Sequence, residues 1–245
     1  MCYSACKIDQ RGCFMKFFGW FLFGFFAIGV GLYPLFYLLF DMSQGFLSTK
    51  GEAILANEVW HYFFYQHILL GGIALLTGWT QFSQKIRSRA LNVHRLLGKV
   101  YIAACMLSGI AGLYLAFFAT GGIISSLGFG TLAVLWLIST SKAFLHIRSK
   151  RINDHRDWMI RSYALTFAAV TLRIWLPLSG ILQMPFLPSY MAISWLCWVP
   201  NLLVAERMIS KRKNVEVSAS PNYKLPILWV TLGTTIYLRV SLLAW

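Results

Sequence analysis

Three histidines next to basic residues have the chemistry to hold a haem iron: His94, His146 and His155. A b-type haem takes axial imidazole ligands, and helical bundles place such ligands on facing helices. The sequence therefore predicts one haem site that is ligated by His94 and His155, with His146 as the substitute ligand. The alternative is that these histidines only anchor helix ends at a membrane surface.

A second candidate site combines His67 with Arg173, which lies inside a long apolar segment. A guanidinium at that depth in a membrane is costly unless it faces protein or water, so it marks a binding site by default. We expect an outward-facing pocket that takes an anionic or lipidic ligand. The alternative is a structural role, in which Arg173 pairs with Glu58 or with backbone carbonyl groups.

Three arginines form a third candidate group near the starts of two helices: Arg95, Arg156 and Arg161. Helix N-termini carry the positive ends of the helix dipoles, and arginine binds oxyanions well. This group could bind an anionic lipid head group, a haem propionate or a quinone carbonyl. The alternative is a solvated basic belt with Asp154 and Asp157 as its counter-charges.

Membrane-spanning helices must position these residues, because the chain is a series of long apolar segments. Seven segments are long enough to cross a hydrocarbon core of about 30 Å at about 1.5 Å per residue. They cover residues 17–40, 61–83, 99–119, 123–145, 159–183, 190–207 and 224–244. Backbone polar groups cannot go unpaired in lipid, so each segment must be a helix.

The predicted fold class is therefore all-α, a polytopic transmembrane bundle of about seven spans. We interpret residues 1–245 as a single integral membrane domain with a core at 61–207, an additional N-terminal span at 17–40 and an additional C-terminal span at 224–244.

Small and polar residues recur at steps of three and four along the second to fifth spans. Such steps stack on one helical face. One stripe contains His67, Gly71, Ala74 and Gly78, and similar stripes run along the other three spans. The stripes predict a central four-helix bundle. They serve either close helix packing alone or an enclosed cofactor that meets the helices at Gly71, Gly78 and Gly98.

The basic residues are distributed unevenly between the two predicted faces. Of the 22 Lys and Arg residues, 19 fall in or beside the N-terminal segment and the loops of one face, and the loops of the other face contain only Lys50. The positive-inside rule then puts the N-terminus in the cytoplasm and the C-terminus outside a bacterial inner membrane. The net charge of +14 indicates anionic lipid head groups as partners, and not nucleic acid.

Several of these residues lie in motifs that resemble a known family of bacterial membrane proteins, the domain-of-unknown-function family 2306. The motifs are His94-Arg95-x-x-Gly98-x-x-Tyr101, His155-Arg156-x-Trp158-Met159-Ile160-Arg161-Ser162-Tyr163, Thr171-Leu172-Arg173, and Trp195-Leu196-Cys197-Trp198-Val199-Pro200-Asn201 followed by Glu206. The resemblance covers roughly His61–Glu206 and implies a multi-pass inner-membrane protein. It brings no catalytic residue. A weaker similarity to membrane b-type cytochromes rests on the histidine-bearing bundle.

Three functions remain open from the sequence. The leading one is electron transfer linked to haem b or a quinone. The second is a ligand-binding or transport module with an outward anion or lipid pocket, and the third is a non-catalytic membrane subunit. The sequence contains no Walker loop, zinc-protease motif, nucleophile elbow or dinucleotide fingerprint. Whether the protein is an enzyme, and its oligomeric state, are left open.

Overall fold

A computed structural model of the chain describes residues 10–39 and 50–218, and all regular secondary structure in these two ranges is helical. The α-helices are α1 (Gln10–Leu32), α2 (Pro34–Leu39), α3 (Glu52–Leu55), α4 (Glu58–Gly78), α5 (Gln84–Arg89), α6 (Leu91–Ala116), α7 (Gly122–Arg148), α8 (Ile152–Thr166), α9 (Ala168–Ile181), α10 (Phe186–Leu196) and α11 (Val199–Ser218). A 3-10 helix, Trp79–Phe82, continues α4.

Six stretches of the described chain are long and apolar enough to cross a membrane. They are Phe18–Tyr37, Glu58–Phe82, Leu91–Ala116, Gly122–Arg148, Ile152–Ile181 and Phe186–Glu216. The predicted all-α fold class, a multi-pass helical bundle, is confirmed. The predicted seventh span, 224–244, lies outside the described residues.

The chain divides into two compact units, residues 1–206 and 207–245. In the second unit, Arg212 and Glu216 form an ion pair at 3.7 Å, one helical turn apart. The candidate site residues named above all belong to the first unit. The assignment of the whole chain to a single membrane domain stays a prediction.

Local sequence determines where α4 and α7 begin. The side-chain oxygen of Asn57 accepts hydrogen bonds from the backbone N–H groups of Val59 and Trp60, at 3.0 and 3.1 Å, and so caps the first turn of α4. The turn before α7 needs a left-handed residue, and Gly121 supplies it with φ of +97°.

Four helices, α4, α6, α7 and α8, pack in a closed ring, in which each contacts the next and α8 returns to α4. Neighbours run antiparallel: along α4 and α6, His67 meets Gly112, whereas Gln81 meets Gly98. The predicted central four-helix bundle is this ring. We call its end with residues 83–90 and 149–151 the basic end, and its end with residues 117–121 the opposite end. The N-terminal helix α1 packs against α4 and α9, and α10 packs against α7 and α9.

A chain of buried hydroxyl groups ties α6, α7 and α8 together. The Thr166 hydroxyl donates to the Ser162 carbonyl, so it accepts from both the Trp136 indole N–H and the Tyr101 hydroxyl, each at 2.9 Å. Tyr101 then accepts from the Ser162 hydroxyl at 2.8 Å, and Ser162 accepts from Thr140 at 2.7 Å. Each of these four hydroxyl groups has a partner in the low-dielectric interior, which fixes the three helices in one register.

The break between α10 and α11 is stabilised by Asn201. Its amide donates to the Cys197 carbonyl at 3.0 Å, to the Ala164 carbonyl at 3.3 Å and to the Thr171 hydroxyl at 3.1 Å. The Thr171 hydroxyl also bonds the Cys197 carbonyl. Carbonyl groups exposed by a helix break must be paired in a membrane, and the Asn201 amide supplies the donors.

Candidate functional site

A cavity of about 330 Å³ opens inside the first unit, between α4, α6, α7 and α9. Most of its wall is apolar or aromatic. The polar and charged residues that line it include Lys50, His67, Thr166, Arg173 and the tyrosines Tyr33, Tyr37 and Tyr190. Among the described lining residues there is no Asp or Glu. The cavity therefore combines apolar walls with positively charged and hydrogen-bonding groups.

His67 and Arg173, which the sequence paired as a candidate site, both line this cavity. His67 lies nine residues after the start of α4, and Arg173 lies eight residues before the end of α9. At about 1.5 Å per residue these positions are about 13 and 12 Å from the opposite end. The two side chains also lie close enough for an electrostatic interaction.

The hydrogen bonds of His67 determine which of its nitrogens is available to a ligand. Its Nδ1 lies 2.9 Å from the carbonyl oxygen of Ser108, which can only accept, so Nδ1 carries the hydrogen. The Nε2 atom of the neutral ring is then an acceptor. The ring fits against α6 because residue 112 is glycine: a Cβ there would lie 2.9 Å from it. His67 is thus held in a fixed orientation at the cavity wall, with Nε2 as its acceptor atom.

Arg173 has a backbone and an aromatic partner. Its Nη1 donates to the carbonyl of Ala169 at 2.9 Å, and its guanidinium lies 4.9 Å from the centre of the Tyr33 ring. No carboxylate of residues 10–39 or 50–218 lies within ion-pair distance of it. The pair with Glu58 that the sequence left open is therefore not formed, whereas the bond to a backbone carbonyl is. The remaining guanidinium donors stand at a cavity wall.

Lys50 is a further cationic residue of the cavity wall, and it contacts the turn between α6 and α7. Its Nζ donates to the Phe118 carbonyl at 2.7 Å and to the Thr120 hydroxyl at 3.1 Å. Burial lowers the pKa of this ammonium group, because a charged group is less stable away from water. The sequence singled out Lys50 only as the exception to the charge asymmetry, and spacing alone did not connect it with His67 and Arg173.

At the basic end, the three histidines proposed as haem ligands are in different hydrogen-bonding states. His155 Nδ1 lies 2.8 Å from the Ala143 carbonyl and so carries the hydrogen, which leaves a lone pair on Nε2. His146 Nδ1 accepts from Arg151 at 2.6 Å, so in its neutral form the hydrogen is on Nε2. Iron ligation through Nε2 therefore suits His155 better than His146.

His94 lies near enough to His155 for an electrostatic interaction, and its Nδ1 is buried without a hydrogen-bond partner in the described part of the chain. Two of the three glycines assigned to a macrocycle, Gly78 and Gly98, pack against protein instead, whereas Gly71 lines the cavity. A Cβ at Gly78 would lie 2.7 Å from the Tyr101 ring, and one at Gly98 would lie 3.3 Å from the Gln81 amide oxygen. Tyr101, Tyr163 and Gln81 thus leave no room for a macrocycle against Gly78 and Gly98. The ligation of a haem by His94 and His155 at the basic end is a separate expectation and stays a prediction.

The arginine group at the basic end is partly engaged by the protein itself. Arg161 forms a bidentate pair with Glu206 at 2.5 and 2.8 Å, and its guanidinium lies 4.6 Å from the centre of the Trp158 ring. Arg95 and Arg156 are exposed on the surface of the basic end. The sequence predicted these three arginines as one anion-binding group, and their role in binding stays a prediction.

The chain matches the model of a known protein family. The model of a family described as "Predicted membrane protein (DUF2306)" matches residues 64–209, which is more than half of the chain. These residues contain His67, Arg173 and the whole four-helix ring except the first turns of α4. No curated protein and no solved structure matches the chain.

Proposed function

We propose a function for this multi-pass membrane protein, which belongs to the DUF2306 family: it binds an amphipathic ligand with an anionic head group in the cavity at His67 and Arg173. One observation carries the proposal. The Arg173 guanidinium lies inside a membrane span, at a cavity wall, with no carboxylate among the described residues to pair with it. Such a cation is costly in a membrane unless an anion or water offsets its charge.

The rest of the cavity supports an amphipathic ligand. Leu132, Leu165 and Leu172 are among its apolar lining residues, and they suit a hydrocarbon tail. Charge-assisted hydrogen bonds from Arg173 suit a carboxylate or phosphate oxygen. A ligand of this kind is itself dissolved in the bilayer, so it reaches the cavity without crossing water.

Purified protein in a neutral detergent tests this function, with oleate as the anionic probe and oleyl alcohol as its uncharged counterpart. We expect oleate to raise the Tm and oleyl alcohol to have little effect. Arg173→Leu should weaken oleate binding about 10- to 100-fold, because a hydrogen bond to a charged group contributes about 1.5–3 kcal/mol. Arg173→Lys, which keeps the charge, should retain part of the binding.

Arg89→Leu is the matched control, because Arg89 is exposed at the basic end and does not line the cavity. This variant should bind oleate as the wild type does. Equal binding of oleate by the wild type and by a folded Arg173→Leu variant would contradict the proposal.

Electron transfer through a haem held by His94 and His155 is the second candidate function. The observation in its favour is that His155 Nε2 has a free lone pair beside His94, whose Nδ1 has no partner in the described chain. When bound, a haem would supply one-electron chemistry. An absorption spectrum of protein from haem-replete cells tests it: a band that shifts on reduction is expected, and colourless protein rules it out.

We further propose that the basic end lies in the cytoplasm of a bacterial cell, where it contacts anionic lipid head groups. The charge asymmetry of the loops supports this orientation. In a cysteine-free background, a membrane-impermeant thiol reagent should label Thr120→Cys in intact cells and Ser149→Cys only after permeabilisation. The reverse pattern would invert the orientation.

A further inference from the structure

Trp60 is a residue of the cavity wall whose buried indole N–H has no hydrogen-bond partner in the described part of the chain. The residue is 2% exposed, and its indole Nε1 has no hydrogen-bond partner among residues 10–39 and 50–218. Leaving a buried donor unpaired costs about 1–3 kcal/mol, and most buried polar groups in proteins are paired. An unpaired N–H beside a cavity therefore indicates an acceptor that arrives with the ligand.

The Trp60 ring is held in a fixed position by its neighbours. It stacks on Phe64 with ring centres 5.1 Å apart and an angle of 11° between the planes, and it meets His61 edge-on at 5.4 Å. Phe64 is also buried and lines the cavity. Because the ring has little freedom to turn toward another acceptor, its N–H direction is set before the ligand binds.

The cavity thus has polar groups at two levels along α4. Trp60 and His67 are seven residues apart, so they lie on the same face of the helix and about 10 Å apart along its axis. Arg173 is at the level of His67, and the apolar ring of Phe64 lies between the two levels. A ligand that forms hydrogen bonds with Trp60 at one level and with Arg173 at the other has two oxygen groups separated by an apolar segment.

We propose that the ligand is an aliphatic acid with a second oxygen acceptor, such as a dicarboxylic or oxo acid. Its carboxylate pairs with Arg173, and its second acceptor receives the indole N–H of Trp60. Trp60 is then a positioning and specificity residue. This inference rests on the proposed function, since it assumes an acid at Arg173, and it adds the class of acid that the cavity prefers.

11-Oxododecanoic acid and dodecanoic acid test the inference, because they have the same chain length and the same single charge, and only the first has a second acceptor. We expect the wild type to bind the oxo acid about 5-fold more tightly. Trp60→Phe removes the N–H and keeps an aromatic ring, so it should abolish that preference and leave dodecanoate binding unchanged. Trp20→Phe is the matched control, because Trp20 is 40% exposed and does not line the cavity.

A second comparison uses the wild type alone, so that it does not depend on the folding of a variant. The monomethyl ester of dodecanedioic acid keeps a carbonyl acceptor, whereas tridecanoic acid has a similar length and none. We expect the ester to bind more tightly than tridecanoic acid.

The outcomes separate this inference from the proposed function. Suppose that the wild type binds both acids of each pair equally and that Arg173→Leu weakens the binding of both acids. The proposal of a second acceptor in the ligand is then refuted, whereas the proposal of an anion site at Arg173 is supported. A preference for the oxo acid that persists in Trp60→Phe refutes the role of Trp60. If the wild type binds none of the acids, both proposals fail.

Discussion

Gly78 is the position at which the packing of the four-helix ring can be tested most sharply. A Cβ at this residue would lie 2.7 Å from a ring atom of Tyr101 and closer still to two ring atoms of Tyr163. Both rings are buried, at 0% and 2% exposure. Tyr101 is bonded to Ser162, and Tyr163 donates to the Leu75 carbonyl at 3.2 Å. Neither ring can move aside cheaply, so Gly78→Ala must separate the helices.

The expected cost of Gly78→Ala follows from two opposing effects. Overpacking a well-filled interior costs about 1–3 kcal/mol, and the contact with two fixed rings puts this site at or above the upper end of that range. Replacing glycine by alanine within a helix returns about 1 kcal/mol. The net loss is about 2 kcal/mol, which corresponds to a Tm lower by about 4–8 °C for a domain of this size.

Thermal unfolding in detergent, followed by tryptophan fluorescence, measures this loss. Gly29→Ala is the control, because a Cβ at Gly29 would meet no atom within 4 Å outside its own stretch of helix backbone. The Tm of this variant should stay the same or rise. Adding Tyr163→Leu to Gly78→Ala removes the Tyr163 ring that the new Cβ would contact. The double variant should therefore lose less stability than the sum of the losses of the two single variants. A Gly78→Ala variant as stable as the wild type would refute the packing described for this ring.

Three further predictions concern stability and are measured by the same unfolding assay. Thr166→Val leaves two buried donors without their acceptor and should cost about 1–3 kcal/mol, whereas Thr77→Val, which loses only a bond within its own helix, should cost less. Glu206→Gln weakens the bidentate pair with Arg161 and should cost about 1 kcal/mol, because the Glu206 side chain is 44% exposed and partly screened by water. Burial lowers the pKa of Lys50 below 10.5, so the unfolded chain binds the Lys50 proton more tightly than the folded chain does. The free energy of unfolding of the wild type should therefore rise, relative to that of Lys50→Met, as the pH increases toward 10.5. An equal loss of stability in both threonine variants would contradict the first prediction, and an unchanged Tm for Glu206→Gln would contradict the second. Parallel pH profiles for the wild type and Lys50→Met would contradict the third.

The sequence was sufficient to predict the fold class and the central ring. Long uncharged segments leave only helices as a solution in a membrane, and steps of three and four mark the faces that meet. Ala74 and Gly78, which belong to the stripe along α4, are buried in the structure. The pairing of His67 with Arg173 was predictable for the same reason, because both are polar residues at similar depth on neighbouring stripes.

The neighbours of each site residue were not predictable, because helical spacing gives the face of a residue and not the partner that fills the space beside it. Gly78 and Gly98 were compatible with a macrocycle until Tyr163, Tyr101 and Gln81 were found against them. The roles of Lys50 and Trp60 depend on contacts with other helices and with the cavity. Lys50 precedes the helices that carry the stripes. Trp60 lies on the same face as His67, but a large aromatic side chain is not one of the small and polar residues that define a stripe.

Native mass spectrometry of the protein extracted directly from membranes tests the occupancy of the cavity most directly. The wild type and the Arg89→Leu variant are expected to retain a non-protein adduct with the mass of an acidic amphipathic molecule, and Arg173→Leu is expected to be bare. A bare wild type, or the same adduct on Arg173→Leu, would show that the cavity at His67 and Arg173 is not an anion-binding site.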